Sequence, residues 1–266
     1  MSSASLLTLK SVTKRFGGVM AVKEVSFGVQ QGTLHGLIGP NGSGKTTLLN
    51  MISGIYTPTA GEVFFAHRSI GGLPSHRIAH YGIARTFQNL RLFKTMTVLE
   101  NVLVGLGATP HGHNRTFPWD PYLRPWRERS AESHMRQEAL ELLADLQLND
   151  AADLPATSLP YGKQRRTELA RALALKPRLL LLDEPAAGLN VEETRDLEQI
   201  LQRLIARGLT ILMIEHDMRL VMDVCSQVTV LDHGVLIADG LPAEVRLNEQ
   251  VLTAYLGKEE ELAADN

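Results

Sequence analysis

A glycine-rich segment carries the clearest chemistry in this chain. Residues 39–46 have the sequence Gly-Pro-Asn-Gly-Ser-Gly-Lys-Thr, which is a complete phosphate-binding loop. Its glycines let backbone N–H groups turn inward around an anion, and Lys45 supplies a compact catalytic charge for the β- and γ-phosphates. The Thr46 hydroxyl can ligate Mg²⁺. The segment therefore predicts a nucleoside triphosphate site, with contacts from Gly39, Pro40, Asn41, Gly42, Ser43, Gly44, Lys45, Thr46 and Thr47.

The sequence on both sides of this loop predicts the elements that must position it. Leu34 to Ile38 is an apolar run typical of a buried strand, and Thr47 to Ile52 predicts a helix that ends near Gly54. A helix directly after the loop adds the positive end of its dipole to the anion site. The alternative, a chance glycine-rich turn, is disfavoured by the strand before the loop and the helix after it.

Two acidic residues follow a second apolar run. Leu179 to Leu182 predicts a strand buried on both faces, as in a parallel sheet, and Asp183 and Glu184 come directly after it. Ligands of α/β folds bind at this end of the strands. We predict that Asp183 holds Mg²⁺, directly or through water, and that Glu184 is the general base for the attacking water. The alternative is that both are helix N-cap acids.

A histidine and a glutamine are further candidates. His216 follows the predicted strand Thr210 to Ile214, and its imidazole could hydrogen-bond the γ-phosphate and the attacking water. The alternative is an ordinary surface or core histidine. Gln88 follows a short strand, and its amide oxygen could accept from a water on Mg²⁺ and so report whether the γ-phosphate is present.

A second glycine turn opens another predicted helix. The segment Leu159 to Arg166 contains Gly162 and leads into the helix that carries Glu168. Such a turn at a helix N-terminus is another anion site. One nucleotide does not need two of them, so the second site indicates the nucleotide of another subunit.

The remaining pattern mixes antiparallel strands with βα units. Thr8 to Val12 and Val25 to Val29 predict short strands joined by a turn at Gly17 and Gly18, and Glu62 to Ala66 predicts another strand. Further helices are predicted at Val98–Gly105, Glu132–Leu146, Arg165–Leu175 and Glu192–Ala206. Four prolines break the pattern in Ala108–Pro125, which indicates a loop or insert. The fold class is α/β, with a parallel core interrupted by a largely helical segment at about 88–175.

Composition limits the classes of protein that fit. At 266 residues, the chain can hold one large α/β domain or two small ones. A formal net charge of −2 argues against a nucleic-acid partner. Cys225 is the one cysteine, so an internal disulfide is excluded. No run is long enough for a membrane span or a signal peptide, so we expect a cytoplasmic protein that meets a membrane only through a partner.

Taken together, these residues resemble the ATP-binding-cassette ATPases over nearly the whole chain. The ordered set is the phosphate loop, Gln88, the signature segment Leu159–Gln164, Leu182–Pro185, Ala187–Asn190 and His216. The resemblance implies a P-loop NTPase fold with a RecA-like core, an antiparallel β-subdomain and a helical signature subdomain. The single domain would span residues 6–257, with a loop at 108–127 and a frayed acidic tail at 258–266.

The resemblance also implies how the nucleotide is held. Two cassettes would pair head to tail, as a homodimer or with a second ATPase, and each Mg·ATP would lie between one phosphate loop and the partner's signature. Tyr161, Gly162 and Lys163 would therefore face the partner subunit's ATP. Phe16 matches the position that stacks on adenine, although a core phenylalanine is an equal alternative on propensity alone.

Two departures from the family pattern matter. The usual signature is Leu-Ser-Gly-Gly-Gln, whereas this chain has Leu159-Pro160-Tyr161-Gly162-Lys163, so the serine hydroxyl that would reach the γ-phosphate is missing. Gly162, the helix N-terminus and Lys163 must supply that contact. The family's usual aspartate after the catalytic glutamate is Asn190 here, which weakens any claim of acid chemistry at that position.

Within the family, the chain is most similar to the ATP-binding subunits of branched-chain amino-acid importers. The matching stretches are Arg15–Gly18, Arg85–Gln88, Arg91–Phe93, Met96–Val98, Tyr161–Arg166, Glu184–Asn190, Ile214–Met218 and Ala254–Gly257, and the insert with Trp119 and Trp126 also fits. Such subunits work with membrane permeases, a second ATPase and a periplasmic solute-binding protein, at the inner face of the membrane. The alternatives are an importer motor for another solute (another amino acid, an amide or urea), a lipopolysaccharide exporter motor, a soluble cassette protein and a phosphotransferase.

The resemblance places the permease groove beside Gln88. It corresponds to Asn89–Thr97 here, with residues 108–127 nearby. Leu90, Leu92, Phe93 and Met96 are apolar residues in a predicted loop, where burial is difficult. The alternative is that they pack within the helical subdomain.

Overall fold

The computed structural model describes residues 5–108 and 125–255, which form two units. The first comprises residues up to Arg85, Arg178–Ala186 and the chain from Leu197, and the second comprises Thr86–Pro177 and Ala187–Asp196. Most of the predicted insert, the Leu256-Gly257 pair and the tail 258–266 lie outside the described residues. The predicted domain limits, 6–257 with an inserted part at about 88–175, stay a prediction.

The strands form two sheets, both in the first unit. They are β1 (Ser5–Phe16), β2 (Val19–Gln30), β3 (Leu34–Ile38), β4 (Ala60–Phe65), β5 (Arg68–Ser69), β6 (Ile83–Arg85), β7 (Leu179–Asp183), β8 (Thr210–Ile214), β9 (Gln227–Asp232) and β10 (Val235–Gly240). One sheet is antiparallel with the order β2-β1-β4-β5, and the other has the order β10-β9-β3-β8-β7-β6.

In the antiparallel sheet, the strands predicted at Thr8–Val12 and Val25–Val29 are longer than the sequence indicated. Strands β1 and β2 have 12 residues each and pair along their length, with the turn at Gly17, whose φ is 56°. Register shifts between Leu9 and Val12, and again before Arg15, interrupt the pairing. These irregularities break the strict alternation of buried and exposed residues, so the pattern alone marked only the most regular parts.

The second sheet has a parallel core of wholly buried strands. Every residue of β3, β7 and β8 is buried, as their continuous apolar sequences predicted. Strands β3, β7 and β8 are parallel neighbours in the order β3-β8-β7, with Leu37 opposite Ile214 and Asp183 opposite Ile214. The segments that follow these three strands therefore start along one edge of the sheet.

The helices are longer than the sequence predicted at several N-termini. They are α1 (Lys45–Ile52), α2 (Ser75–His80), α3 (Val98–Gly107), α4 (Pro125–Asp145), α5 (Tyr161–Ala174), α6 (Val191–Ala206), α7 (Met218–Val224), α8 (Pro242–Arg246) and α9 (249–255). Helix α5 begins at Tyr161 and not at Arg165, and α4 begins at Pro125 and not at Glu132. The last residues of the predicted loop 108–127 are thus helical. Among the described helices, none is both long enough and apolar enough to cross a membrane.

The second unit is built on α3 and α5. Thr97 caps α3, because its hydroxyl accepts from the Glu100 amide while the Glu100 carboxylate accepts from the Thr97 amide. Helix α3 lies against α5 at Gly105, where a Cβ would stand 2.5 Å from the Arg171 carbonyl oxygen. Only glycine permits this approach, which brings the α5 face into the interior of the unit.

Candidate active site

The phosphate-binding loop joins β3 to α1 and requires glycine at two positions. Gly39 has φ 144°, and a Cβ there would lie 2.0 Å from the Leu231 carbonyl oxygen. Gly44 has φ 101°, and its Cβ would lie 2.5 Å from the Ala21 carbonyl oxygen. Any side chain at either position would displace backbone, so the loop keeps its shape only with these glycines.

Lys45 closes the loop from inside. Its ammonium group is buried and donates to the carbonyl oxygens of Gly39 at 2.7 Å and Pro40 at 2.9 Å, and lies 3.4 Å from Ser43 Oγ. Helix α1 starts at Lys45, and Gly44 gives it no side-chain cap. The N–H groups of its first turn and the buried ammonium therefore form an anion cradle, while Thr46 is exposed at the same turn.

Asp183 at the end of β7 is held by an arginine that the sequence analysis missed. Arg85, at the end of β6, donates from Nη2 to Asp183 Oδ2 at 2.8 Å. Its Nη1 donates to Asn50 Oδ1 at 2.6 Å and Ser53 Oγ at 3.0 Å, both at the end of α1. Arg85 thus ties the acidic residue to the helix of the phosphate loop and fixes the orientation of the carboxylate.

The arrangement fits Mg²⁺. Asp183 Oδ1 is buried and has no hydrogen-bond partner among the described residues, an arrangement that costs free energy unless a cation or a bound water completes it. Within the described part of the chain, no cluster of three or more His, Cys, Asp or Glu could enclose a metal ion. A site with one carboxylate, the Thr46 hydroxyl, waters and substrate phosphates is the kind that Mg²⁺ uses in proteins.

Glu184 and His216 are brought together across the ends of β7 and β8. The Glu184 amide donates to the Ile214 carbonyl oxygen at 3.0 Å, and His216 Nε2 lies 2.5 Å from Glu184 Oε1. Glu184 has φ 50°, a left-handed conformation that is costly for a side chain with a Cβ. The Glu184 carboxylate lies against the half-exposed imidazole of His216.

Glu215 is a second residue that the sequence analysis missed as a part of the site. It is buried, and its carboxylate accepts from the amides of Ala186 at 2.7 Å and His216 at 3.1 Å. Burial raises the pKa of Glu215, and these backbone N–H groups act in the opposite direction. Glu215 therefore joins the segments after β7 and β8. Its position directly after an apolar strand, as for Asp183, was the available signal.

Phe16 is exposed at the end of β1, so the alternative of a core phenylalanine is wrong. Its ring meets Tyr56 edge to face with centroids 5.2 Å apart, and Lys14 Nζ lies 5.0 Å from its centroid.

Tyr255, at the end of α9, lies near the Gly39 backbone of the phosphate loop. Burial raises the pKa of its hydroxyl to about 12, against the effect of the Gly39 backbone.

The second unit carries the remaining candidates. Gln88 is exposed, as is the Tyr161 ring at the start of α5, whereas Gly162 is buried and Lys163 Nζ lies 2.6 Å from Asp150 Oδ2. Asn190 caps α6, since its side chain accepts from the Glu193 amide at 2.9 Å and its amide donates to Glu193 Oε2. Helix capping, rather than acid chemistry, is the structural role of Asn190. Among the described helices, the first after β7 begins at Val191, so none begins directly after Asp183 or Glu184.

Comparison with known proteins identifies the family. A family model described as ABC transporter matches residues 22–187, and one described as branched-chain amino acid ATP-binding cassette transporter matches residues 235–261. The chain is 43% identical to the high-affinity branched-chain amino acid transport ATP-binding protein BraF of Pseudomonas aeruginosa, over 96% of this chain and 99% of BraF. It is 42% identical to LivG of Salmonella typhimurium, a protein with the same description, with the same coverage.

Solved structures agree. A nucleotide-free ATP-binding cassette from an ABC transporter is 32% identical and superposes with a TM-score of 0.81, covering 95% of this chain and 99% of its own. A dimeric cassette bound to ADP and Pi is 27% identical, with a TM-score of 0.73 over 89% of this chain and 98% of its own. The predicted fold class is confirmed. This chain belongs to the ABC transporter family, as one of its nucleotide-binding ATPase subunits.

Proposed function

We propose that this chain is the ATP-hydrolysing motor of a bacterial importer for branched-chain amino acids. The observation that carries the proposal is the convergence, along one edge of the parallel sheet, of the phosphate loop, Asp183 and the Glu184–His216 pair. The solute class is supported by the family match at residues 235–261 and by the likeness to BraF and LivG over almost the whole chain.

In this proposal, the phosphate loop binds the β- and γ-phosphates of ATP. Lys45 and the first-turn N–H groups of α1 hold their negative charge, and the exposed Phe16 ring stacks on adenine. Asp183, the Thr46 hydroxyl and Gln88 would hold Mg²⁺, which when bound would neutralise phosphate charge. Glu184 takes a proton from the attacking water, and His216 fixes the orientation of its carboxylate.

The proposal also assigns partners and a location. A second cassette, identical or not, supplies the other half of the nucleotide site, so that Tyr161, Gly162 and Lys163 face the ATP of the partner. Integral-membrane permeases bind the segment around Phe93, and a periplasmic solute-binding protein delivers the solute to them. The chain then works in the cytoplasm, against the inner face of the membrane, without a nucleic-acid partner.

Glu184→Gln tests the hydrolytic role. The amide keeps the size of the side chain and cannot accept a proton, so turnover should fall by on the order of 10²–10⁴ while ATP affinity stays near the wild-type value. Glu62→Gln, an exposed glutamate in β4, is the matched control. If Glu184→Gln lowers the affinity for ATP but leaves the turnover of bound ATP intact, Glu184 is a ligand and not the base.

The solute assignment needs a separate experiment. Deletion of the gene should abolish high-affinity uptake of labelled leucine, isoleucine and valine by intact cells, and a copy with Glu184→Gln should not restore it. Wild-type uptake of all three in the deletion strain, with loss of uptake of an amide or urea instead, would refute branched-chain specificity and retain the ATPase.

A further inference from the structure

Helix α5 begins within the signature segment and is called the signature helix below. One of its arginines, Arg165, donates to the backbone carbonyl oxygens of Phe87 and Gln88, and these two hydrogen bonds are called the grip. Arg165 lies one turn into α5, and its side chain is buried in the second unit. Its Nη1 donates to the Phe87 carbonyl oxygen at 3.0 Å, and its Nη2 donates to the Gln88 carbonyl oxygen at 2.6 Å. The carbonyl oxygens of two successive residues thus accept hydrogen bonds from the two Nη atoms of one guanidinium group.

A buried glutamate supports this grip. Glu168, one turn further along α5, lies 3.5 Å from Arg165 Nη1, and its other oxygen accepts from the Arg91 amide at 3.3 Å. Burial raises the pKa of Glu168, whereas the Arg91 amide and the charges of Arg165 and Arg171 lower it. The Glu168 carboxylate therefore contacts both the Arg165 guanidinium and the backbone at Arg91, three residues after Gln88.

The same face of α5 also contacts Tyr161, at the start of the helix, and Phe93. The Arg165 guanidinium lies 5.4 Å from the centroid of Tyr161, the first residue of the helix. Arg171 lies over the Phe93 ring at 5.2 Å. Arg165, Glu168 and Arg171 are spaced three residues apart, so they lie on one side of the helix. This face connects the start of the signature helix to residues 87–93.

A purely stabilising ion pair does not explain the geometry. Burying charged groups is costly, and apolar residues of similar volume often stabilise a core as well. A lysine could pair with Glu168, but its point charge cannot bind two successive carbonyls in a fixed plane. What arginine adds here is a defined backbone position at Gln88.

We propose that Arg165 is a positioning residue that fixes the Gln88 backbone relative to Tyr161 and so couples the signature helix to residues 87–93. The proposal rests on the proposed function, in which Gln88 senses the γ-phosphate and Phe93 meets the permease. It assigns Arg165 a role in turnover and in coupling, and none in binding ATP at the phosphate loop of its own subunit.

The test combines Arg165→Lys with hydrogen exchange. The amides of Arg91 and Phe93 donate to Glu168 Oε1 and Asn101 Oδ1, respectively, so both should exchange slowly in wild-type protein without nucleotide. Loss of the grip should speed exchange in peptides that cover residues 86–93 by about tenfold, the effect of losing a hydrogen bond or more. ATP affinity should stay within about twofold, and turnover should fall about tenfold or more, as an orientation effect.

Two further variants make the test decisive. Arg136→Lys changes an exposed arginine of the same unit that pairs with Asp153, and it should behave as wild type. Glu168→Gln preserves shape and removes the buttressing charge, so it should speed exchange in the same peptides even if Arg165→Lys does not fold.

The proposal is overturned if exchange in residues 86–93 is unchanged in both Arg165→Lys and Glu168→Gln, or if exchange rises and turnover does not fall. A wild-type protein that hydrolyses no ATP would instead refute the proposed function, and the exchange data would still report on the grip. The two failures are therefore separate measurements.

Discussion

Replacement of Arg85 by methionine should destabilise the first unit strongly. Methionine keeps much of the length of arginine and removes its charge and all of its donors. Arg85 and Asp183 are 7% and 3% exposed at their side chains, so the carboxylate would remain in the interior without its cation. Asn50 Oδ1 and Ser53 Oγ would also lose a donor.

The expected magnitude follows from this burial. Removing one partner of a buried ion pair costs about 3–5 kcal/mol, because the other charge is left uncompensated. Each kilocalorie lowers the melting temperature of a domain of this size by about 2–4 °C, so Arg85→Met should lower it by about 6–20 °C. Changing Asp183 to asparagine in the same protein removes the buried charge, so the double variant should recover at least about 1 kcal/mol.

The assay is thermal and urea unfolding without nucleotide, and the control is a second arginine–aspartate pair. Arg219 and Asp223 pair at 3.9 Å on α7, but the Arg219 side chain is 75% exposed. Arg219→Met should therefore change stability by no more than about 1 kcal/mol. If Arg85→Met matches this control, or if the double variant is no more stable than the single one, the buried pair does not stabilise the unit as reasoned here.

Three further predictions concern the cradle, the permease and pH. Lys45→Ala should abolish ATPase activity, and Lys10→Ala, an exposed lysine, should not; wild-type turnover in Lys45→Ala would refute the site. Phe93, 45% exposed, should tolerate glutamate in the isolated subunit, while Phe93→Glu abolishes transport and co-purification with permeases; intact transport would exclude the contact, and misfolding would favour packing. Burial lowers the pKa of His35 to about 4, although Asp239 raises it, so the unfolded chain binds a proton between about pH 6.5 and 4 that the folded chain refuses. Stability measured by urea unfolding should thus fall by up to about 3 kcal/mol as pH falls through that window, and a stable His35→Asn variant with the same slope would contradict the assignment.

The main parts of the site could be predicted because they depend on local sequence. Lys45 belongs to a contiguous loop, and Asp183 and His216 each follow an apolar strand within two residues. Parallel strands place their carboxyl ends along one edge, so strand recognition alone placed these residues together. The contact between Glu184 and His216 was not predicted, and it comes from the structure alone.

The supporting residues could not be predicted in the same way. Arg85 binds Asn50 and Ser53, which precede it by 35 and 32 residues, and Asp183, which follows it by 98 residues. Its role depends on tertiary burial, since an arginine at the end of a short strand is otherwise an ordinary surface residue. The same holds for the hydrogen bonds from Arg165 to the Phe87 and Gln88 carbonyl oxygens, because backbone acceptors carry no sequence signal.

Three acidic residues meet at the edge of the parallel sheet, and their surroundings distinguish their roles. Asp183 is committed to the buried Arg85 cation, and Glu215 accepts from backbone amides with both carboxylate oxygens. A proton on either would break an interaction that holds the site together. Glu184 is the most exposed of the three, at 12% of its side chain, and its partner is the half-exposed imidazole of His216. A carboxylate that must take a proton from water and release it in each cycle needs these surroundings, which favours Glu184 as the base.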